Sequence, residues 1–322
     1  MIYPASRPLV SILCTAYNHE AFIRKALESF LEQKVSFKYE VIVHDDASTD
    51  RTTSIIKEFE NKYPTIIKGI YQTENQHSKA RGSVARILYS AASGKYIAFC
   101  EGDDHWIDNQ KLQRQIDALE GDASAIGCFT DAFNERDGER ESYMGPYAST
   151  PKKEKVEQRD LIRGQGIPTC TFVFRNIDLR KFHEARRLSP VGDALLFIFL
   201  TNHGYLIYQP ERTGVRVIHT GGIHSLTTDL HKLKVDLAVL PFMDQLSGHK
   251  YTELLILRKR RLLNNAWSEA ITHQNRELAK YVWPRITKDR SWYGWNFTTL
   301  LRNFFKAYWP WPDRMLSQLM RA

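Results

Sequence analysis

With 322 residues, 43% hydrophobic and 25% charged, the chain has the composition of a folded soluble protein, long enough for one large domain or a domain with an appendage. No apolar run approaches the roughly 20 residues needed to cross a bilayer, and the opening MIYPASRPLVSILC lacks the segments of a secretory signal. The net charge of +8 is concentrated at one end: residues 251–322 hold 13 Lys or Arg against 5 Asp or Glu, and six of the seven Trp, while the remainder carries 32 charges of each sign.

In chain order, Val10–Cys14 is a short apolar run that predicts a strand. Phe22, Ile23, Ala26, Leu27 and Phe30 then mark one face of a helix. Tyr39–Val43 predicts a second strand, followed by a helix carrying Ile55, Ile56 and Phe59, with Ser48 and Asp50 as candidate caps. Ile66–Tyr71 reads as a third strand, 83–92 as a helix stopped by Gly94, and Tyr96–Cys100 as a fourth strand. Asp108 or Asn109 then caps a helix bearing Leu112, Ile116 and Leu119. This alternation predicts an α/β fold, a mostly parallel Rossmann-like sheet flanked by helices.

From Ala125 to about His224 the pattern loosens. AIGCFTD and TCTFVFR predict strands, DLIRG and VGDALLFIFLTNHG helical pieces, and GVRVIHTGGIHS a strand running into a glycine turn. Beyond about residue 230 the chain reads as helical. The expected division is a catalytic domain over 1–230 and a helical, basic, Trp-rich extension over 231–322. Four separated cysteines with no CxxC pair (Cys14, Cys100, Cys128, Cys170) read as buried reduced thiols, and a cytoplasmic location is expected.

The chemistry lies where strands end. VIVHDDASTD places Asp45 and Asp46 directly after the second strand, and YIAFCEGDDHW places Glu101, Asp103 and Asp104 directly after the fourth. In parallel sheets ligands bind beyond the carboxyl ends of strands, so both acid pairs are expected on one binding rim. Carboxylates gathered there repel unless a cation sits among them. Oxygen ligands suit Mg2+ or Mn2+, and a nucleoside diphosphate would fill the remaining coordination positions. The plainer alternative is that each acid caps the next helix. There is no GxxxxGK[ST] loop, no GxGxxG after the first strand and no HExxH or Cys/His cluster, which argues against P-loop, Rossmann dinucleotide and zinc sites.

VSILCTAYNHEAFIRKALESFLEQ, YEVIVHDDASTDRTTSII, SGKYIAFCEGDDHW and KLQRQIDAL follow one another as in the family 2 inverting glycosyltransferases, which the chain resembles over about residues 8–120. Looser similarity continues through PTCTFVFR and beyond, toward bacterial members that build O-antigen, capsule or related surface glycans. The resemblance implies a glycosyltransferase A-type fold, a nucleotide-sugar donor, a divalent cation and a glycan or polyprenyl-linked acceptor.

By the same resemblance, Thr15 and Tyr17 line the nucleotide pocket. Tyr17 either stacks on the base or packs under its loop. Asp46 matches the acid that bonds the base and Asp45 its partner near the ribose. Asp103 matches the acid facing ribose or sugar, and Asp104 the acid that reaches the metal. EGDD stands where many members have DxDD, which leaves Glu101 without an inherited role. Trp106 either floors a sugar or belongs to the core. Asp193 matches the family's candidate base, a position equally natural for a helix cap. His219, in HTGGIH with His224, is a metal or diphosphate contact or a structural histidine. The glycines of that stretch suggest a loop able to close over the donor. Lys79, Arg81 and Arg86 are candidate phosphate contacts or solvated surface charges.

Two other enzyme-fold readings stay open, a nucleotidyltransferase of related fold and an inactive nucleotide-sugar-binding module. Nucleic-acid binding has no motif to support it. At the far end, Phe297, Leu300, Leu301, Phe304, Phe305, Tyr308 and Trp309 recur at helical spacing, flanked by Arg and Lys. Such a face fits either a helix lying in a membrane interface, giving peripheral membrane contact, or packing on protein.

Overall fold

A computed structural model describes residues 7–143, 153–221 and 228–288. The aromatic helix expected over 297–309 and His224 lie outside the described residues. The chain divides into two compact units, Met1–Ser225 and Leu226–Ala322.

The first unit is built on a ten-stranded sheet. Strands β1 (Val10–Ala16), β2 (Tyr39–Asp45), β3 (Ile67–Tyr71) and β4 (Tyr96–Phe99) are parallel, in the spatial order β3-β2-β1-β4. Val10 faces Tyr39 on one side and Tyr96 on the other. Their connections carry helices α1 (Ile23–Leu31), α2 (Thr52–Lys62), α3 (Gln76–Lys79) and α4 (Ser83–Ala91). β1 is buried along nearly its whole length, as expected of a central parallel strand covered on both faces. In α1 the buried face is Ile23, Ala26, Leu27, Ser29 and Phe30. Phe22 stands just before it, half-exposed, as part of the rim rather than the core.

At the amino ends of these strands Glu40 is 2% exposed and fully engaged. It accepts from Ser11 Oγ at 2.7 Å, Ser93 Oγ at 2.6 Å and Lys68 Nζ at 2.7 Å. Burial alone would raise this carboxyl, but these donors hold it below its ordinary value. One acid thereby ties β1, β2, β3 and the turn before β4 together.

The second half of the sheet is mixed. After β4 come β5 (His105–Trp106), α5 (Lys111–Gly121), the long strand β6 (Ala125–Arg136) and the short strands β7 (Glu139–Ser142) and β8 (Lys155–Val156). Then follow α6 (Gln158–Ile162), β9 (Val173–Arg175), α7 (Arg180–Leu188), α8 (Asp193–Leu200) and β10 (Tyr205–Val217). β9 lies antiparallel between β4 and β6, while β10 runs parallel to β6. β5 pairs antiparallel with β10, Trp106 opposite Gly214. This strap carries the turn after β4 onto β10 and so places Asp103 and Asp104 against the end of that strand.

All four cysteines are free and buried. The second unit holds α9 (Asp229–Leu246), α10 (Thr252–Thr272) and α11 (Arg276–Lys288), packed around Leu233, Leu263, Trp267, Leu278 and Val282. Trp267 is wholly buried with Trp283 5.3 Å away, so these two tryptophans form core. Among the described residues no helix is long and apolar enough to cross a membrane.

Candidate active site

The carboxyl ends of β1, β2 and β4 form one rim. Main-chain bonds lock the three ends: Asp46 N donates to Ala16 O at 2.9 Å, and Gly102 N donates to Thr15 O at 2.8 Å. Thr15 and Tyr17 therefore stand beside both acid groups. Tyr17 is 45% exposed, with its ring at the surface of the rim.

The two acids after β2 are already engaged. Asp45 accepts from Ser48 N at 3.1 Å and from the Thr53 hydroxyl. Asp46, 4% exposed, accepts from Gln76 N at 2.6 Å and His77 N at 3.0 Å. Asp46 thus organises the start of α3 and fixes the loop that borders the rim.

The acids after β4 divide their work differently from the expectation. Asp104 was expected at the metal and Asp103 at ribose or sugar. Asp104 is 7% exposed, and its Oδ1 accepts from Val217 N at 2.9 Å, which fastens the end of β10. Asp103 instead meets two imidazoles. His219 Nε2 lies 3.1 Å and His19 Nε2 3.8 Å from Asp103 Oδ2. One ligand atom from each of the three can lie within 4.8 Å of the others, all partly accessible. Among the described residues, the group placed to hold a cation is His19, Asp103 and His219, while Asp104, the expected metal acid, holds Val217 N through one of its oxygens. Adjacent residues after a strand point in different directions, and the main chain of β10 claims Asp104.

His19 carried no signal as a site residue beyond its place in TAYNHE. It is set by His19 N donating to Thr52 Oγ1 at 2.8 Å, and by Gly102, where a Cβ would come 3.2 Å from its Nδ1. Burial lowers its basicity, with Asp103 opposing, and so favours a neutral imidazole able to bind a metal. The ring of Phe22 lies 4.5 Å from that of His219 and supports it.

Around this cluster the electrostatics are those of crowded acids. Burial first, and then the Asp103 charge, push Glu101 up to about 7. Burial, Glu101 and Asp103 raise Asp104 well above the ordinary carboxylate value. Arg216 on β10 opposes both shifts. A divalent cation would relieve the same repulsion, and the imidazole and carboxylate donors fit one.

Trp106 belongs to the core. It is 3% exposed, its indole N–H donates to Cys170 O at 2.6 Å, Phe30 lies 4.8 Å away, and the Lys111 ammonium sits 4.1 Å over its ring. An indole so enclosed fits the core alternative for Trp106.

Asp193 opens α8 and is exposed. Oδ1 accepts from its neighbour Ala194 N at 2.8 Å, and Oδ2 from Thr169 Oγ1 at 3.3 Å. The carboxylate therefore bonds to the helix start and still presents an edge to solvent. Its charge is one of those that raise Glu101. Lys79 pairs with Glu74, and Arg81 donates to Leu188 O at 3.2 Å, away from the cluster.

A sheet of this order, with acids at the ends of its parallel strands, defines a glycosyltransferase A-type fold. Residues 11–182 match the family description "Glycosyl transferase family 2", and the chain belongs to that family; it is a glycosyltransferase. An uncharacterised protein of Mycobacterium tuberculosis is 31% identical over 255 residues, covering 77% of this chain and 71% of that one. The UDP-Glc:alpha-D-GlcNAc-diphosphoundecaprenol beta-1,3-glucosyltransferase WfgD of Escherichia coli is 33% identical over 175 residues, covering 54% of this chain and 63% of that enzyme. Among solved structures, the mannosyltransferase PcManGT from Pyrobaculum calidifontis, in complex with GDP-Man and Mn2+, matches with TM-score 0.54 at 17% identity, covering 94% of this chain and 86% of that one.

Proposed function

We propose that this protein is a metal-dependent inverting glycosyltransferase, moving a sugar from a nucleotide-sugar donor to a lipid-linked or glycan acceptor in bacterial surface-polysaccharide synthesis at the cytoplasmic face of the membrane. The observation that carries it is the meeting of Asp103, His19 and His219 just beyond the carboxyl ends of the parallel strands. The sugar nucleotide in the name of the Escherichia coli relative, and the GDP-Man and Mn2+ of the structural neighbour, support the same reading.

When bound, a divalent cation would neutralise charge developing on the leaving diphosphate. The residues Asp103, His219 and His19 would hold it. Thr15 and Tyr17 would border the nucleotide, the exposed Tyr17 ring offering a face to the base. Asp45 and Asp46 would act mainly by fixing that pocket, since their oxygens already hold main-chain and hydroxyl donors. On the acceptor side Asp193 would take the proton of the attacking hydroxyl as its oxygen bonds to the anomeric carbon and the bond to diphosphate breaks. Thr169 and Ala194 N–H keep the carboxylate oriented for that step. We assign the basic, aromatic segment 291–322 to peripheral contact with anionic lipid.

The test is a panel of nucleotide sugars titrated with and without Mn2+, UDP-Glc first, with released nucleoside diphosphate followed in the presence of a lipid-linked saccharide. Metal-dependent binding of one donor, with diphosphate release that needs the acceptor, is the expected result. Binding without any turnover would favour the inactive binding module, and pyrophosphate release from a nucleoside triphosphate would favour the nucleotidyltransferase. Loss of liposome co-sedimentation on removing 291–322 is the expected mark of membrane contact.

A further inference from the structure

We propose that Arg186, Arg187 and Arg81, bordered by Leu188, form an acceptor subsite that reads a phosphate group next to the sugar to be extended. This rests on the reading of Asp193 as the base on the acceptor side. Arg186 lies near the end of α7, and its Nη1 donates to Ser189 O at 2.7 Å. Arg81, in the turn before α4, donates from Nη1 to Leu188 O at 3.2 Å. Both guanidinium groups thus reach the short connection that delivers Asp193 to the start of α8.

Room has been left for the first of them. A Cβ on Gly192 would come 2.5 Å from Arg186 Nε, and one on Gly82 2.8 Å from Arg186 Cγ. Gly82 has φ +76° and favours glycine for its backbone alone, but Gly192 has φ −105°, which any residue adopts. The missing side chain at Gly192 therefore goes with the guanidinium lying against the main chain beside Asp193.

More positive charge surrounds the same edge. Arg187 follows Arg186 on α7 and is exposed, as is Arg86 on α4, and the charge of Arg81 is felt by Arg186. None of these four arginines forms an ion pair with a described residue; Asp193 is the acid whose charge reaches Arg186. Like charges gathered this way, with Arg81, Arg86 and Arg187 exposed, suit an anion with several acceptor oxygens, and the guanidinium fork matches phosphate. Leu188 stands among them 69% exposed. An apolar side chain beside a phosphate-reading cluster fits a phosphate or diphosphate ester whose far end is a hydrocarbon chain.

Phosphate at this edge has two possible sources, the acceptor and the donor. The geometry favours the acceptor. Arg186 and Arg81 bond to the connection that leads to Asp193, the acid read as facing the acceptor.

The probe is farnesyl diphosphate, titrated by calorimetry into full-length protein already saturated with UDP and Mn2+, with farnesol and inorganic pyrophosphate as controls. Wild type is expected to bind farnesyl diphosphate and to ignore farnesol. Arg186→Gln and Arg187→Gln should each weaken it about tenfold, the usual size for one charge-assisted hydrogen bond. Arg186→Lys should recover part of the loss. Leu188→Ser should weaken farnesyl diphosphate but leave pyrophosphate unchanged. UDP affinity in Mn2+ should stay at its wild-type value throughout, and the melting temperature should fall only slightly in Arg186→Gln, which gives up the bond to Ser189 O. Wild-type farnesyl diphosphate binding in the arginine variants, or no binding by wild type, overturns the subsite. A parallel loss of UDP affinity overturns it differently, by giving the arginines to the donor diphosphate. Failure of wild type to bind UDP with Mn2+ at all would instead strike the metal-dependent donor reading.

Discussion

His219 and Asp103 are 116 positions apart in the chain, yet their side chains meet at 3.1 Å where the end of β10 crosses the turn after β4. The contact exists because β5 straps that turn to β10, with Ile107 N donating to Thr213 O at 2.9 Å and Val217 N donating to Asp104 Oδ1 at 2.9 Å. Asp104 thereby fastens the end of β10, and Asp103 faces the two imidazoles.

This division of labour separates two neighbouring substitutions. Asp103→Asn should weaken Mn2+ binding by at least about tenfold, and metal-dependent donor binding with it, while the melting temperature changes little. Asp104→Asn should retain most Mn2+ affinity, because its bond to Val217 N is one that an amide oxygen can also accept. Manganese titration by electron paramagnetic resonance on both variants decides. Equal loss in the two, or loss only in Asp104→Asn, would return the cation to Asp104.

Crowding of the acids gives a pH signature. Glu101, pushed up to about 7, and Asp104, raised well above its ordinary value, bind protons more tightly folded than unfolded. Their contribution to stability is therefore fully present below the unfolded carboxylate pKa of about 4 and is lost as pH rises through their folded values. A cation bound among them reverses that loss. The rise in melting temperature on adding Mn2+ should be larger at about pH 8 than at about pH 5. A rise that is the same at both, in scans at matched ionic strength, would uncouple the acids from the metal.

How much of this was legible in the sequence depends on range. β1 to β4 and their helices follow from local apolar runs and turn residues, and both acid pairs fall at the strand ends where they were expected. β5 is two residues long, too short for any periodicity, whereas β9, three residues long, lies inside the predicted TCTFVFR. β6 and β10 run to 12 and 13 residues, past their apolar stretches into polar ones such as Asn134, Glu135, Glu211 and Arg212, because the pairing of the two strands continues there. The bond that sets Asp104 against the main chain of Val217 joins positions far apart in the sequence. Trp106 is core because Cys170 O receives its N–H. His19 joins the cluster only once β1 and β4 are paired, so no local pattern marks it.

Gly94 tests the fold's close packing. It was read as a helix stop, but its stronger constraint is the main chain of β1, where a Cβ would sit 2.5 Å from Ser11 N and 2.8 Å from Val10 C. Its own N–H donates to Ser11 Oγ at 2.8 Å, inside the network of Glu40. Backbone on both sides cannot swing away as a side-chain tip would. Gly94→Ala should cost about 1–3 kcal/mol, the usual range for overpacking, read by urea unfolding. Gly121→Ala, where nothing lies within 4 Å, is the control and should be near neutral. A neutral Gly94→Ala would mean that the β1–β4 contact is looser than the geometry states.

The last prediction separates base from cap at Asp193. The carboxylate already accepts Ala194 N–H and the Thr169 hydroxyl, so a purely structural role is available to it. Asparagine can accept the Ala194 N–H at Oδ1 and donate from its amide nitrogen to the Thr169 hydroxyl, but it cannot take a proton from an acceptor hydroxyl at neutral pH. If Asp193 only holds the start of α8, Asp193→Asn should turn over near normally and Asp193→Ala should lose about 1 kcal/mol of stability, the usual cost of a lost cap. If it is the base, Asp193→Asn should bind the donor as wild type does and lose about 10²–10⁴-fold in kcat, with melting unchanged. Thr169→Val should then lower kcat more modestly, because the carboxylate keeps its chemistry and loses only one of its two orienting bonds. The second pattern is the expected one. Donor affinity by calorimetry, kcat by diphosphate release and a melting curve on the same three variants are sufficient, since the structural role moves the last reading and the chemical role only the second.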